Sequence, residues 1–249
     1  MPRARRRRLV TDPLVWGIIA LALLVALMPT TAPVFAWAFP DVQPPVYGIS
    51  SFLDLLLAHA AIVAESSAVS TVIAIGLAVL VTRPQGRAFR PMLDTIATIG
   101  QSFPPVAILA LAVPAVGYGA LPTLCALTIY GLLPIIENTL AGLESVPPAT
   151  REAAEAMGMT KLQLLRHVEL PLAAPVILAG VRTSVIINIG TAAIGSTVGA
   201  VTLGTPIIDG LVSDKLPYVL QGAVVTALFA ILADSGFERL AQRLRVPPA

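Results

Sequence analysis

Six apolar segments, each close to the length needed to cross a lipid bilayer, limit the folds open to this chain. A helix of about 20 apolar residues crosses about 30 Å of hydrocarbon. The segments are approximately Leu14–Phe35, Leu57–Val81, Met92–Val116, Leu121–Leu143, Leu172–Gly190 and Tyr218–Ala233. Of the 249 residues, 56% are hydrophobic and only 12% are charged, whereas soluble domains carry about 25% charged residues. The sequence therefore predicts an all-α integral membrane protein with about six transmembrane helices.

Basic residues lie almost entirely on one side of the predicted spans. The residues on that side are Arg3, Arg5, Arg6, Arg7, Arg8, Arg83, Arg87, Arg90, Arg151, Lys161, Arg166, Arg239, Arg243 and Arg245. Because cytoplasmic loops are enriched in Lys and Arg, we expect both termini in the cytoplasm and Lys215 outside. Residues 1–13 are then a basic cytoplasmic N-terminus, and residues 14–249 form a single transmembrane domain. The stretch from Pro29 to Pro33 offers a poor leader-cleavage site, so the first span is expected to be retained.

One glycine-rich stretch, Gly190 to Gly210, is too interrupted for an ordinary span. It contains five glycines and Pro206. One interpretation is a broken helix followed by a re-entrant turn, which needs to be buried in protein or to line a cavity. The other is close helix packing through small residues, as in Gly195 to Gly199. The two interpretations are compatible.

The longest predicted cytoplasmic loop runs from Glu144 to about Pro171 and is expected to form two short helices. Thr150 is a plausible N-cap for the first helix. Gly158 lies where a helix C-terminus favours a left-handed residue. The sequence Thr160-Lys-Leu-Gln163 has the spacing of a capping box for the second helix. That helix is predicted to end near Leu170, because a proline follows.

The same loop resembles a known motif. Glu152-Ala153-Ala154, Gly158 and Glu169-Leu170-Pro171 are similar to the EAA loop of permease subunits of binding-protein-dependent ABC importers. In that family the loop contains a coupling helix that docks in a groove of a cytoplasmic ATPase. The resemblance implies ATPase-coupling roles for Glu152, Ala153, Ala154, Gly158, Leu170 and Pro171. Residues 144–171 are called the EAA loop below.

Other segments resemble the osmoprotectant branch of these importers, which takes up glycine betaine and related quaternary amines. They are Gln101–Pro105, Tyr130–Pro134, Val181–Gly190 and Leu203–Ile207. The resemblance implies the type I permease fold and a multi-pass location in the bacterial plasma (inner) membrane. It also implies three partners: a cytoplasmic ATP-binding subunit, a second permease copy or paralogue, and a solute-binding protein, expected here as a separate extracytoplasmic chain.

The source of energy separates the remaining hypotheses. The chain has no Gly-x-x-x-x-Gly-Lys-Ser/Thr phosphate loop, so we expect it to bind no ATP and to be no enzyme, with ATP used by the partner subunit. Glu65 and Glu137 lie inside predicted spans, where a gradient-driven carrier would use carboxylates. The alternative is that both lie near polar helix-packing positions. An importer of the same architecture for another small solute, such as an amino acid or a phosphonate, also stays open.

Few side chains are suited to hold a substrate or a metal. Aromatic residues, which form cages around quaternary amines, are only 5% of the chain, so we expect selectivity to lie mainly in the binding protein. Asn188, Thr191 and Ser196 are the predicted polar residues of the substrate pathway. His59 is predicted at a membrane interface and His167 on the surface of the EAA loop. No metal site, cofactor site or nucleic-acid site is expected.

Overall fold

The computed structural model describes residues 12–244. The predicted basic N-terminus therefore lies almost entirely outside the described residues, as does Arg245. The helices are α1 (Pro13–Ala26), α2 (Ala32–Ala38), α3 (Phe52–Thr82), α4 (Arg90–Ser102), α5 (Pro105–Val116), α6 (Ala120–Glu144), α7 (Pro148–Ala156), α8 (Lys161–Leu164), α9 (Leu170–Ala192), α10 (Gly204–Val212) and α11 (Leu216–Leu244). Short 3₁₀ segments occupy Met28–Thr31, Arg87–Phe89 and Ala193–Val198, and a π turn occupies Leu165–Glu169.

Four of these helical segments are long and apolar enough to cross a membrane. They are Phe52–Thr82, Ala120–Glu144, Lys161–Val198 and Leu216–Leu244. Two bent helix pairs, Pro13–Ala26 with Met28–Ala38 and Arg87–Gly100 with Pro105–Val116, raise the number of candidate spans to six. The predicted all-α membrane fold with about six spans is confirmed.

The predicted third span, Met92–Val116, is wrong as a single helix. Helices α4 and α5 meet at 96°. Pro104 and Pro105 have no backbone N–H to continue a helix, and a residue before proline favours extended backbone. Phe103 is extended, with φ −76° and ψ 137°. The first predicted span is also bent, by 73°, next to a 3₁₀ segment that has Pro29 in its first turn.

The predicted helix end near Leu170 is also wrong. The helical path is continuous from Lys161 to Val198 and passes through the π turn directly before α9. Pro171 lies in the first turn of α9. A π turn changes the backbone hydrogen-bond pattern, and here it does so where the missing proline N–H would otherwise interrupt the helix. The second half of the EAA loop and the fifth span are therefore one helical segment.

Helices α3, α6 and α9 form the centre of the bundle, and small residues bring them together. A Cβ added to Gly131 of α6 would lie 2.6 Å from Ser184 Oγ of α9 and 2.7 Å from Ser70 Oγ of α3. A Cβ on Gly180 would lie 2.7 Å from the Pro134 carbonyl oxygen. This is the close backbone approach that small residues permit between membrane helices.

Charged side chains fasten α11 to the rest of the bundle. Arg182 of α9 donates to both carboxylate oxygens of Asp234 at 2.6 and 2.8 Å, and it also pairs with Glu238. Further along α11, Arg239 pairs with Asp12, which caps α1 near the start of the chain. Hydrogen bonds from Arg239 hold the pKa of Asp12 below its ordinary value. The last span is thus tied to the first and the fifth.

Candidate functional site

The EAA loop is a helix–turn–helix on the side of the bundle where the ends of α3 and α6 lie. Gly158 separates α7 from α8 with φ +82°, which confirms the predicted left-handed position. The predicted capping box is also confirmed. Thr160 donates its N–H to Gln163 Oε1 at 2.8 Å, and Gln163 donates its N–H to Thr160 Oγ1 at 3.4 Å.

Thr150 is not the N-cap of α7, which corrects the prediction. The helix begins at Pro148, with Pro147 in the capping position. Proline is well suited to the first helical position, because its fixed φ is helical and its missing N–H would be unpaired there. Thr150 therefore lies inside the first turn.

The predicted coupling residues differ in where their side chains lie. Glu152, Ala153 and Gly158 are exposed on the outer surface of the loop. Ala154 is only 2% exposed, so it packs inward. The last two, Leu170 and Pro171, are half-buried and exposed respectively.

Two apolar side chains of the EAA loop were missed by the sequence analysis. Met157 is 73% exposed and Leu162 is 56% exposed. They lie on either side of Gly158 in the sequence, close to the exposed Ala153. An apolar residue in an otherwise polar loop is the signal that could have identified them, because exposed apolar groups that cluster mark interaction surfaces.

A charge cluster that the sequence analysis also missed fixes the loop to the bundle. Arg83, which follows α3, donates from Nη2 to Glu169 Oε2 at 2.6 Å. Arg151 of α7 has its Nε 3.1 Å from Glu169 Oε1 and also donates to the Leu143 carbonyl oxygen. Glu169 is only 4% exposed, so its carboxylate depends on these two arginines for compensation.

The predicted pathway residues are placed in different environments. Asn188 is fully buried, and its Nδ2 donates to Ser66 Oγ at 3.4 Å and Ser67 Oγ at 3.2 Å, between α9 and α3. Ser196 lies beyond α9 with its Oγ 2.8 Å from Thr202 Oγ1. Thr191 is half-buried. Their assignment to the substrate pathway stays a prediction.

His59 is buried inside the bundle, and its predicted place at a membrane interface stays a prediction. It is fully buried in α3, with Nε2 3.0 Å from the Ile189 carbonyl oxygen and Nδ1 accepting from the Leu203 N–H at 3.2 Å. Because Nδ1 is the acceptor, the proton lies on Nε2 and the ring is neutral. The hydrogen bond from the Leu203 N–H to His59 thus connects the Gly190–Gly210 stretch to α3. His167 is exposed, as predicted.

The Gly190–Gly210 stretch combines a broken helix with close packing through small residues, and the re-entrant turn stays a prediction. Helix α9 gives way to a 3₁₀ segment, and the short helix α10 follows. A Cβ on Gly204 would lie 1.9 Å from the Ala193 carbonyl oxygen, and one on Gly195 would lie 2.4 Å from Thr123 Cγ2. The chain therefore breaks and also packs closely through its glycines.

The two carboxylates inside the spans are exposed. Glu65 of α3 and Glu137 of α6 both lie on the outside of the described bundle. Neighbouring polar residues such as Ser66 pack inward. Among residues 12–244 neither carboxylate forms a salt bridge.

The loop before α3, on the face opposite the EAA loop, is held by hydrogen bonds. Tyr47 donates from its hydroxyl to Asp209 Oδ2 at 3.0 Å and from its N–H to Gln221 Oε1 at 3.0 Å. Its ring packs edge-on against Tyr218 with 5.5 Å between centroids. Burial, together with the hydrogen bond to Asp209, raises the pKa of Tyr47 to about 12.

Comparisons with known proteins connect this geometry to a family. Residues 70–246 match the family described as "Binding-protein-dependent transport system inner membrane component". The osmoprotectant import permease protein OsmY of Salmonella typhimurium is 40% identical over 186 residues, which cover 75% of this chain and 79% of that protein. The glycine betaine/carnitine/choline transport system permease protein OpuCD of Bacillus subtilis is 42% identical over 166 residues, covering 66% of this chain and 72% of that protein.

Solved structures show the same fold. The inward-facing MetNI methionine ABC transporter matches with a TM-score of 0.70 at 23% identity, covering 78% of this chain and 96% of that chain. An amino acid ABC transporter solved with histidines matches with a TM-score of 0.63 at 19% identity, covering 77% of this chain and 92% of that chain. The predicted ABC importer permease fold is confirmed.

Proposed function

The chain belongs to the family of inner membrane components of binding-protein-dependent transport systems, and we propose that it is the permease subunit of an ATP-driven importer of osmoprotectants such as glycine betaine. The observation that carries the proposal is the EAA loop. It is a helix–turn–helix joined directly to a membrane span, and it presents exposed small and apolar residues next to a left-handed glycine.

The EAA loop is suited to receive force from a partner ATPase. Ala153, Met157 and Leu162 are exposed small and apolar side chains of the loop, and Glu152 adds an exposed carboxylate. A groove on the ATPase would cover these side chains. The pairing of Glu169 with Arg83 and Arg151 then transmits movement of α7 to α3.

The substrate class follows from the relatives. Proteins named for osmoprotectant, glycine betaine, carnitine or choline transport are 38–45% identical to this chain, whereas the amino acid transporters match at 19–23%. Asn188, Thr191 and Ser196 are proposed to line a passage of low affinity. Selective recognition of the cation is assigned to a separate binding protein.

The complete importer would contain two permease subunits, either two copies or a paralogous pair, around a central pathway. Each permease would engage one ATPase through its EAA loop. The ATPase would use the ATP, because this chain has no phosphate loop. The loaded binding protein would dock on the opposite face, where the hydrogen bonds of Tyr47 and Gln221 fix the outer loop.

The test is uptake of radiolabelled glycine betaine by vesicles that contain the permease, the ATPase and the binding protein. We expect uptake that needs internal ATP and that stops when the binding protein is omitted. A Gly158→Asp permease in the same vesicles is the matched control for coupling, and excess unlabelled methionine is the control for substrate class.

The outcomes separate the hypotheses. If the same vesicles take up labelled methionine in an ATP-dependent way but take up no labelled glycine betaine, the architecture would stand and the osmoprotectant assignment would be rejected. Uptake indifferent to ATP but abolished by Glu65→Gln or Glu137→Gln would replace the importer with a gradient-driven carrier.

A further inference from the structure

A basic cavity of about 450 Å³ opens beside the EAA loop, between the end of α3, the start of α4 and the end of α6. Five basic side chains and three carboxylates line it: Arg83, Arg87, Arg90, Arg151 and Lys161 with Glu144, Glu155 and Glu169. The cavity therefore carries a net positive charge. By the distribution of Lys and Arg along the chain it lies at the cytoplasmic surface of the membrane.

Some of these basic side chains form no salt bridge with a carboxylate of the chain. Glu169 compensates Arg83 and Arg151, and Glu144 pairs with Arg90. In the described part of the chain, Arg87 and Lys161 form no salt bridge, and both side chains are exposed at the cavity. Glu155, the third carboxylate of the lining, also forms no salt bridge among the described residues, so two cations and one carboxylate are unpaired. An anionic group that enters from outside therefore meets a net positive charge.

An apolar groove of about 570 Å³ lies about one helical turn from the cavity, toward the middle of α3 and α4. The same three helices line both spaces. On α4, Arg90 lines the cavity and Leu93, one turn later, lines the groove. On α3, Val81 lines the cavity and Leu77, one turn earlier, lines the groove. Beyond them the groove follows the bend between α4 and α5, and its lining is mostly aliphatic, with Phe103 at the bend.

We propose that the cavity and the groove together bind one anionic phospholipid of the inner leaflet. Its phosphate pairs with Arg87 and Lys161, and one acyl chain lies along the groove past Leu93 and Ile96. Basic pockets between helices on the cytoplasmic side of a membrane are suited to anionic headgroups. An acyl chain needs no hydrogen bonds, which matches an aliphatic lining. A second protein helix would account for the groove but not for the adjoining unpaired cations.

The experiment is native mass spectrometry of the full chain, delipidated in detergent and titrated separately with phosphatidylglycerol, phosphatidylcholine and inorganic phosphate. We expect phosphatidylglycerol to bind at least about tenfold more tightly than phosphatidylcholine, since each Lys or Arg near an anionic headgroup strengthens binding several-fold. The double variant Arg87→Gln/Lys161→Gln should abolish this preference. Arg166→Gln is the matched control, because Arg166 is an exposed cation of the same loop that does not line the cavity.

A second variant tests the groove. Ile96 is 58% exposed, so Ile96→Ser should fold normally and lower the affinity for phosphatidylglycerol.

Equal affinity for the two lipids, or an equal effect of Arg166→Gln, would overturn the proposal. Inorganic phosphate that binds as tightly as phosphatidylglycerol, and no longer binds to Arg87→Gln/Lys161→Gln, would assign the cavity to a free anion instead. Loss of chain dimers, without loss of lipid, in Ile96→Ser would assign the groove to a second copy. The measurement needs neither ATPase nor binding protein, so its failure would leave the proposed transport function untouched.

Discussion

The carboxylate of Glu169 accepts a 2.6 Å hydrogen bond from Arg83, which links the EAA loop to the end of a membrane span. The side chain of Glu169 is 6% exposed and that of Arg83 is 25% exposed. The pair is therefore shielded enough from solvent to fix geometry, and Arg151 completes it from α7.

Replacement of Glu169 by Gln should loosen this connection. We expect a loss of about 1–3 kcal/mol in the free energy of unfolding, between the values typical of exposed and buried pairs. Uptake should fall more than ATP hydrolysis, because movement of α7 no longer reaches α3 fully. Thermal unfolding and coupled uptake are the measurements. Glu144→Gln removes the same charge from an exposed pair and should change neither. Equal behaviour of the two variants would contradict the linking role.

Substitution of Gly158 should abolish transport without preventing membrane insertion. Its φ of +82° costs a residue with a Cβ about 1–2 kcal/mol, and Asp also places a charge on the exposed turn. Gly158→Asn should retain more uptake, because Asn tolerates left-handed backbone as Asp does but adds no charge. Uptake and membrane content are the measurements. Ala88→Asp, which adds the same charge at an exposed residue outside the EAA loop, is the control. Normal uptake by Gly158→Asp would reject the coupling assignment.

Replacement of His59 by Phe should destabilise the Gly190–Gly210 stretch. The substitution keeps the aromatic packing on Phe229 but leaves the Leu203 N–H and the Ile189 carbonyl without their partner. Each buried unpaired group costs about 1–3 kcal/mol. Hydrogen exchange at residues 199–203 should accelerate and the Tm should fall. His167→Phe, on the surface of the EAA loop, should leave both unchanged. Unaltered exchange in His59→Phe would refute the anchoring role.

The outer loop should become less stable at alkaline pH, because the Tyr47 hydroxyl loses its proton. Its pKa is raised from 10 to about 12, so the protonated hydroxyl is favoured in the folded state. This contribution is fully present below pH 10 and is lost as the pH rises toward about 12. Limited proteolysis of residues 39–51 across that range is the measurement. Tyr47→Phe should show a flatter dependence, and an identical profile in both proteins would argue against the Tyr47–Asp209 hydrogen bond as the cause.

Local sequence signals predicted the elements that depend on a few adjacent residues. The six apolar segments, the left-handed Gly158 and the capping box at Thr160 each follow from short-range physics. Each appears in the structure, although two of the segments are bent helix pairs. The sequence also allowed the prediction that Glu152 and Ala153 lie in an exposed loop.

Features that depend on tertiary context were not predictable in this way. Pro171 is compatible with a helix end or with the first turn of a continuing helix, and only the preceding π turn decides between them. His59 is separated from Ile189 by 130 residues, so no local pattern could indicate its partners. The role of Glu169 likewise requires Arg83, which lies 86 positions away.

The unbroken path from Lys161 to Val198 has a mechanical consequence. Its 38 residues span roughly 57 Å at about 1.5 Å per residue. A tilt of about 5° at the cytoplasmic end would displace the opposite end by roughly 5 Å on that length. The segment can therefore carry a small rotation from one side of the bilayer to the other, and the π turn and the interior Pro175 are the places where it would bend.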